Sequence, residues 1–396
     1  MRKIRSIILK NKQFTNDIFR VINRVGYTKR EKHAPNQIPR YYEFVNNSKI
    51  ISGYRVLERI PEELGKRGLS RPLLLTQQEN VEKGVLKTII RTFTQNGIDA
   101  ENIFLCPGTY SPELKKQAES AYKGRSCDCL IAVGNDISFK LASDLCNEDL
   151  PDAGTQKSRV FYIALPAVNA CLDIAGNPDI VVLDPRVSKE LPVKSAVLYT
   201  LEALCHAVET YTSPMKNPLS DAYAFSALCI IRDNLHKSIK FAEDKKIRLA
   251  LANASLLSSI AFINTEPTIS HVLSDVLAEK YGVSHEEAIC IILPHFLEQQ
   301  FLEHDEYFGE LLLPLAGPEV YADTLPYERG RKFVLMVRNL ISDYHRIYGF
   351  PVCLSAIGVK RSDFDEIIEE VLSRRDRQDS DDKLEETLRN ILNLAF

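Results

Sequence analysis

Residues that can bind a metal ion are concentrated in the second half of this chain. Glu202 and His206 lie four residues apart in the run L-Y-T-L-E-A-L-C-H-A-V-E-T-Y-T-S, and His271 and His285 begin and end H-V-L-S-D-V-L-A-E-K-Y-G-V-S-H. A spacing of four places two side chains on one face of an α-helix, where a carboxylate and an imidazole can contact one ion. For that pair alone, an ordinary hydrogen bond along the helix is the alternative. With the two later histidines, the four side chains can form a complete shell for Zn or Fe.

The segments that must position these side chains read as helices. After Pro192, strand patterns nearly vanish and apolar residues recur at helical spacing. The predicted helices cover 194–213, 217–242, 245–263, 268–281, 285–303, 329–349, 361–373 and 381–394. An all-helical region from 193 to 396 would therefore hold the whole metal constellation.

Strands alternate with helices in the part of the chain before Pro192. Short strands are predicted over 41–45, 49–53, 71–76, 103–106, 129–134, 160–167 and 179–185, with helices over 55–68, 81–96 and 112–122 and a further helix that ends at Leu145. This alternation predicts an α/β fold with a parallel, doubly wound sheet, in which ligands bind at the carboxyl ends of the strands. The predicted domains are a basic N-terminal extension (1–40), the α/β domain (41–192) and the helical domain (193–396).

Composition excludes several classes of protein. The 396 residues carry 50 basic and 53 acidic side chains, and a net charge of −3 does not favour a nucleic-acid partner. The nine cysteines are scattered without a C-x-x-C pair, which indicates reduced thiols in a cytoplasmic protein. No apolar run approaches the roughly 20 residues of a membrane span. The basic extension predicts either a helix that packs on the body or on a partner subunit, or a membrane-surface or organelle-targeting helix.

Longer motifs carry a family resemblance. The segments are E-A-L-C-H-A-V-E-T-Y-T-S, then N-P-L-S-D-A at 217–222, and a pair of histidines fourteen residues apart that precede L-P-H at 293–295. Over nearly all of 41–396 the chain resembles the iron-dependent (group III) alcohol dehydrogenase family, related to glycerol dehydrogenase and dehydroquinate synthase. The resemblance implies a dinucleotide-binding-like sheet domain, a metal held by Glu202, His206, His271 and His285, and a homodimer.

Three departures from the family pattern surround the implied metal. Glu202 stands where the family has Asp, Glu286 where it has Gly, and Asp275 where it has a second His near the nicotinamide. Asp275 lies one helical turn after His271, and two roles for it remain open. It can accept a hydrogen bond that orients an imidazole, or it can act catalytically as a general base or proton relay.

The loop that corresponds to the family's pyrophosphate-binding loop departs further from the family pattern. The family's Gly-Gly-Gly-Ser stands here as G-N-D-I from Gly134, so Asn135 and Asp136 replace glycines, and Gln77 replaces the usual acidic residue after a strand. Glycines matter at this loop because the backbone must approach the pyrophosphate closely. By position, the resemblance still assigns cofactor binding to Gln77, Gly134, Asn135 and Asp136.

The sequence thus predicts a metal-dependent oxidoreductase that interconverts a small alcohol and its aldehyde or ketone with NAD or NADP. The alternative is a divergent family member that has lost dinucleotide binding but retains the metal as a pseudoenzyme or regulatory protein. A metal-dependent lyase or synthase of the dehydroquinate synthase kind is a third possibility, disfavoured because its dense Lys/Arg phosphate clusters are missing from the sequence around the ligands. The substrate, the choice of NAD or NADP and the choice of Fe or Zn stay open.

Overall fold

A computed structural model describes most of the chain after the N-terminal extension. The described residues are 39, 41–82, 84–107, 110–134, 136–146, 159–166, 178–189, 191–265, 269–303, 305–374 and 381–396. The helix predicted within the basic extension lies outside them.

Six parallel strands form one sheet in the described part of the chain. They are β1 (Lys49–Ser52), β2 (Pro72–Gln77), β3 (Ile103–Cys106), β4 (Cys129–Gly134), β5 (Tyr162–Pro166) and β6 (Ile180–Leu183), in the order β1-β6-β5-β4-β2-β3. Every neighbouring pair is parallel. The central strands β4 and β5 are buried along their whole length, as their continuous apolar sequences predict for a sheet covered on both faces.

Helices alternate with these strands, as predicted. They are α1 (Ile60–Gly65), α2 (Gln78–Glu82), α3 (Val85–Thr94), α4 (Pro112–Gly124) and α5 (Asp136–Cys146). The prediction of one helix over 81–96 was wrong, because Gly84 has a φ of +76° and separates α2 from α3. The strand predicted over 41–45 is absent, and the described residues there form no regular element. The doubly wound parallel sheet itself is confirmed.

The chain after Pro192 is helical, as predicted. Its helices are α6 (Val193–Thr212), α7 (Pro218–Lys240), α8 (Lys245–Phe262), α9 (Ile269–Tyr281), α10 (His285–Glu303), α11 (Asp305–Ala316), α12 (Pro318–Asp323), α13 (Arg329–Tyr348), α14 (Phe364–Ser373) and α15 (Asp381–Ala395). The sequence reading missed α11 and α12. Pro314 lies inside α11, where a proline ordinarily argues against helix.

Helix α6 is the centre of the helical region. From Val197 to Thr212 every residue except Tyr199 is buried, which is the pattern of a helix surrounded by others on all sides. Its apolar residues belong to one large core shared with α7, α9, α10, α11 and α13. Two smaller cores lie on the two faces of the sheet, and Leu256 and Ile260 of α8 belong to one of them. Helix α8 therefore packs against the sheet.

Within the described residues, no helix combines the length and the hydrophobicity that a bilayer span requires. Their cysteines are all free thiols, consistent with the absence of paired cysteine motifs in the sequence.

Candidate metal centre and nucleotide loop

Three helices bring three of the predicted ligands together. Glu202 on α6, His271 on α9 and His285 at the start of α10 each have one ligand atom within 4.8 Å of the others. Nδ1 of His271 lies 3.2 Å from Nε2 of His285. Oε1 of Glu202 lies 3.6 Å from that same Nε2. These separations are less than twice a metal–ligand bond of about 2.0–2.2 Å, so the three atoms can contact one ion.

His206 lies beside this group rather than in it. Its ring stacks on His271, with centroids 4.3 Å apart, and on Phe262 of α8, with centroids 4.2 Å apart. Burial, followed by the charges of His271 and His285, lowers the pKa of His206 well below its usual value. The imidazole is therefore neutral, the form that a metal requires. Among the described residues, His206 is not in the set whose ligand atoms lie within 4.8 Å of one another.

Asp275 contacts a predicted ligand directly. Its Oδ1 lies 2.7 Å from Nδ1 of His285, and its side chain is 54% exposed. Burial opposes charge on His285, but the hydrogen bond with Asp275 and the charge of Glu202 outweigh it and raise the pKa of His285 to about 9. Burial likewise raises the pKa of Asp275, while His285 more than offsets this and the net direction is downward. Asp275 thus holds the His285 nitrogen that faces away from Glu202.

A second carboxylate contacts His271, and sequence reasoning did not single it out. Glu209 is completely buried, and its Oε2 lies 3.0 Å from Nε2 of His271. Ser270 donates a hydrogen bond to Oε1 of Glu209. The available signal was helical spacing, because Glu209 follows Glu202 by seven residues and so shares its face of α6.

Cys205 extends this second cluster. Cys205, Glu209 and His271 also have ligand atoms within 4.8 Å of one another, and all three are buried. Burial, with a further contribution from Glu209, raises the pKa of the Cys205 thiol well above its usual value. The thiol is therefore protonated, whereas a metal requires the thiolate.

The first group fits a divalent metal ion. Two imidazoles and one carboxylate are the protein ligands of many catalytic zinc sites and of non-haem iron sites, both of which leave positions open for other ligands. Nε2 of His271 and Oε2 of Glu209 are buried, and neither has a correctly directed hydrogen bond among the described residues. Burying polar atoms without a hydrogen bond costs free energy. A small rotation of the His271 ring on metal binding would let these two atoms form a hydrogen bond with each other.

The nucleotide loop begins where β4 ends, beside the end of β2. Gly134 has a φ of +133°, and a Cβ placed on it would lie 2.8 Å from Nδ2 of Asn80 and closer still to Oε1 of Gln77. Asn80 donates to Gln77 Oε1 at 3.0 Å and to Thr76 Oγ1 at 3.2 Å. The predicted cofactor residues Gln77 and Gly134 are thus in contact.

The structure does not test the other two residues that were predicted to bind the cofactor. Asn135 lies outside the described residues. Asp136 is the first residue of α5, and only its backbone is described.

Comparison with known proteins decides the family. The profile described as "Fe-containing alcohol dehydrogenase family, C-terminal" matches residues 196–395, a little over half of the chain. The chain belongs to the Fe-containing alcohol dehydrogenase family. The match covers α6, α9 and α10, which carry the candidate metal ligands. The predictions of family and of an oxidoreductase enzyme are confirmed.

Full-length relatives agree with this family. Long-chain-alcohol dehydrogenase 1 of Geobacillus thermodenitrificans is 21% identical over 355 residues, which cover 82% of this chain and 88% of the relative. A crystal structure of 1,3-propanediol oxidoreductase superposes with a TM-score of 0.77 at 19% identity, covering 90% of this chain and all of that one. Sulfoacetaldehyde reductase from Bifidobacterium kashiwanohense, solved in complex with NAD+, gives a TM-score of 0.72 at 16% identity and covers 89% of this chain and 99% of that one. These comparisons give no support to the alternative of a member without enzymatic function.

Proposed function

We propose that this family member oxidises a small alcohol to its aldehyde or ketone, or reduces that carbonyl compound, with NAD or NADP and one divalent metal ion. The observation that carries the proposal is the meeting of Glu202, His271 and His285 within 4.8 Å in a buried part of the helical region. We include His206 as the fourth ligand, because its neutral ring already stacks on His271. A divalent ion held by these residues would supply Lewis acidity that stabilises negative charge on the substrate oxygen, and a bound dinucleotide would supply the hydride chemistry.

The protein's own side chains orient the metal ligands and exclude water from them. Asp275 accepts the Nδ1 proton of His285, so Nε2 is the nitrogen that faces Glu202 and His271. Because the pKa of His285 is raised to about 9, Nε2 also carries a proton near neutral pH, which it must lose before its lone pair can bind a metal ion. Because the Asp275 side chain is about half exposed, the same residue can also exchange a proton with solvent. The burial of Glu202 and His271 keeps bulk water away from the donor atoms.

The proposed dinucleotide site lies at the carboxyl ends of β2 and β4, the usual place for such ligands in a doubly wound sheet. The positive φ of Gly134 preserves the turn that such a loop needs. Gln77 contacts Gly134 and offers an amide where an acidic side chain would repel a ribose phosphate, so both NAD and NADP remain candidates.

The test is to titrate the metal-loaded protein with NADH and with NADPH, and then to assay a panel of short alcohols and aldehydes through the absorbance of the reduced nicotinamide. We expect saturable binding of one dinucleotide below roughly millimolar concentration and turnover of at least one substrate class. His285→Ala is the matched control, expected to bind dinucleotide but to lose turnover. Metal-loaded protein that binds neither dinucleotide would contradict the proposal.

A further inference from the structure

Glu209 is a buried carboxylate with few partners. It is 0% exposed and lies on the face of α6 that also carries Glu202. In the described part of the chain its carboxylate contacts Ser270, which donates to Oε1, and His271, whose Nε2 lies 3.0 Å from Oε2. The buried thiol of Cys205 also lies beside it. No lysine or arginine among the described residues pairs with it. A carboxylate in such a place requires a donor or a nearby positive charge.

The position of Glu209 distinguishes the two nitrogens of His271. The 3.0 Å contact between Nε2 and Oε2 is not aligned as a hydrogen bond in this structure, and a small rotation of the ring would align it. Only an imidazole that carries its proton on Nε2 can then donate to Oε2, and this tautomer leaves a lone pair on Nδ1. Nδ1 is the atom that lies 3.2 Å from Nε2 of His285. Glu209 and the predicted metal therefore lie on opposite sides of the same ring.

From this geometry we infer that Glu209 is a positioning residue for the metal centre: it fixes the tautomer and the orientation of His271, so that Nδ1 is presented to the ion. The inference rests on the metal site of the proposed function. A carboxylate on the outer nitrogen also makes the imidazole a stronger ligand, and removing such a partner typically costs 10–100-fold in metal affinity.

A competing use of the same residues is a second ion held by Cys205, Glu209 and His271. This second ion would bind Nε2 of His271, the nitrogen that would otherwise donate a hydrogen bond to Glu209. The two uses predict different effects of Cys205→Ala, which removes a ligand of the second ion but no partner of the imidazole.

The experiment measures the Zn2+ affinity and stoichiometry of the metal-free full chain by chelator competition. The variants are Glu209→Gln, which keeps a neutral acceptor, and Glu209→Met, which keeps the length and removes the acceptor. We expect one equivalent of Zn2+ in all proteins, with affinity falling about 10-fold for Gln and toward 100-fold for Met. Activity at saturating Zn2+ should recover in Glu209→Gln, since the ligand itself remains.

Two controls make the result specific. Cys205→Ala should keep the wild-type Zn2+ affinity. Glu298→Gln also neutralises a buried acid of the helical region, and it lies thirteen residues after His285 on α10, about 20 Å along the helix. It too should leave the affinity unchanged. Thermal unfolding of the metal-free proteins identifies any variant that fails to fold, and Glu209→Gln, the mildest change, then carries the test.

The outcomes separate this inference from the proposed function. Wild-type Zn2+ affinity in folded Glu209→Gln and Glu209→Met would overturn the positioning role and leave the metal site standing. Two equivalents in wild type that fall to one in Cys205→Ala would also overturn it, in favour of a second ion. Wild-type protein that binds no Zn2+ would overturn the metal site and this inference together.

Discussion

The two histidines that face each other each have a carboxylate at the opposite nitrogen. Asp275 contacts Nδ1 of His285 at 2.7 Å, and Glu209 lies 3.0 Å from Nε2 of His271. The inner nitrogens are left 3.2 Å apart, next to Glu202. With the contact between Glu209 and His271 aligned as a hydrogen bond, two carboxylates in these positions would set the tautomers of both rings. The ligand positions are thereby fixed by side chains that need not touch an ion themselves.

Replacing Asp275 by Asn tests which of its two roles it performs. An amide still accepts the Nδ1 proton of His285 but lacks the charge, so we expect roughly a 10-fold loss of metal affinity, with turnover restored at saturating metal. The measurement is turnover as a function of added Zn2+ or Fe2+. If turnover stays low at saturating metal while metal content matches wild type, Asp275 relays protons instead of orienting the ring.

Individual site residues were predictable to different degrees. The spacing of Glu202 and the family-like spacing of His271 and His285 were enough to nominate residues that the fold brings together. Glu209 could have been found from its place on the same helical face. The stacking of His206 on Phe262 could not, because it depends on how α8 packs against α6. The four-ligand set remains a prediction.

Sequence patterns located most helices and strands, because the local spacing of apolar residues matches the secondary structure that the fold adopts. The predicted limits of β3 and β4 match the structure, since both are apolar runs bounded by polar or turn residues. The strand predicted over 41–45 was wrong. Val45 instead exchanges hydrogen bonds with the Asn264 side chain, just after α8, and no strand is paired with it among the described residues. That contact is distant in sequence and leaves no local pattern.

A buried acid attaches the short helix α1 to the edge strand β1. Glu63 pairs with Lys49 of β1 at 2.9 Å, and hydrogen bonds from Lys49 and then Lys66 lower the pKa of Glu63 to about 2. Because the folded pKa is depressed, this contribution to stability is fully present above the unfolded value of about 4.5 and is lost as pH falls toward 2.

Replacing Glu63 by Gln should therefore lower the free energy of unfolding near pH 7, on the order of 1–2 kcal/mol once the exposure of the lysines is considered. The deficit relative to wild type should shrink as pH falls below about 4.5. Urea unfolding from pH 7 to pH 3 measures both effects. Glu62→Gln on the exposed side of α1 is the control, with an expected deficit near zero. A Glu63→Gln deficit that is constant across this pH range would contradict the assignment.

In the molecule as a whole, helix α8 connects the sheet with the metal centre. Leu256 and Ile260 of α8 pack into a core of the sheet, and Phe262 at its end stacks on His206. The strand order β1-β6-β5-β4-β2-β3 and this connection were beyond sequence reasoning, because both arise from contacts between distant segments. The division at 192/193 and the homodimer stay predictions.

The metal content of the purified protein shows whether the helical region holds one divalent ion. Purified wild-type protein reconstituted with Fe2+ or Zn2+ and freed of excess ion should retain one equivalent per chain. His271→Ala should retain almost none while remaining folded, because it removes one of the three converging ligand atoms. His236→Ala, which changes an exposed histidine of α7, should match wild type. Equal metal content in wild type and His271→Ala, or none in wild type, would contradict the account.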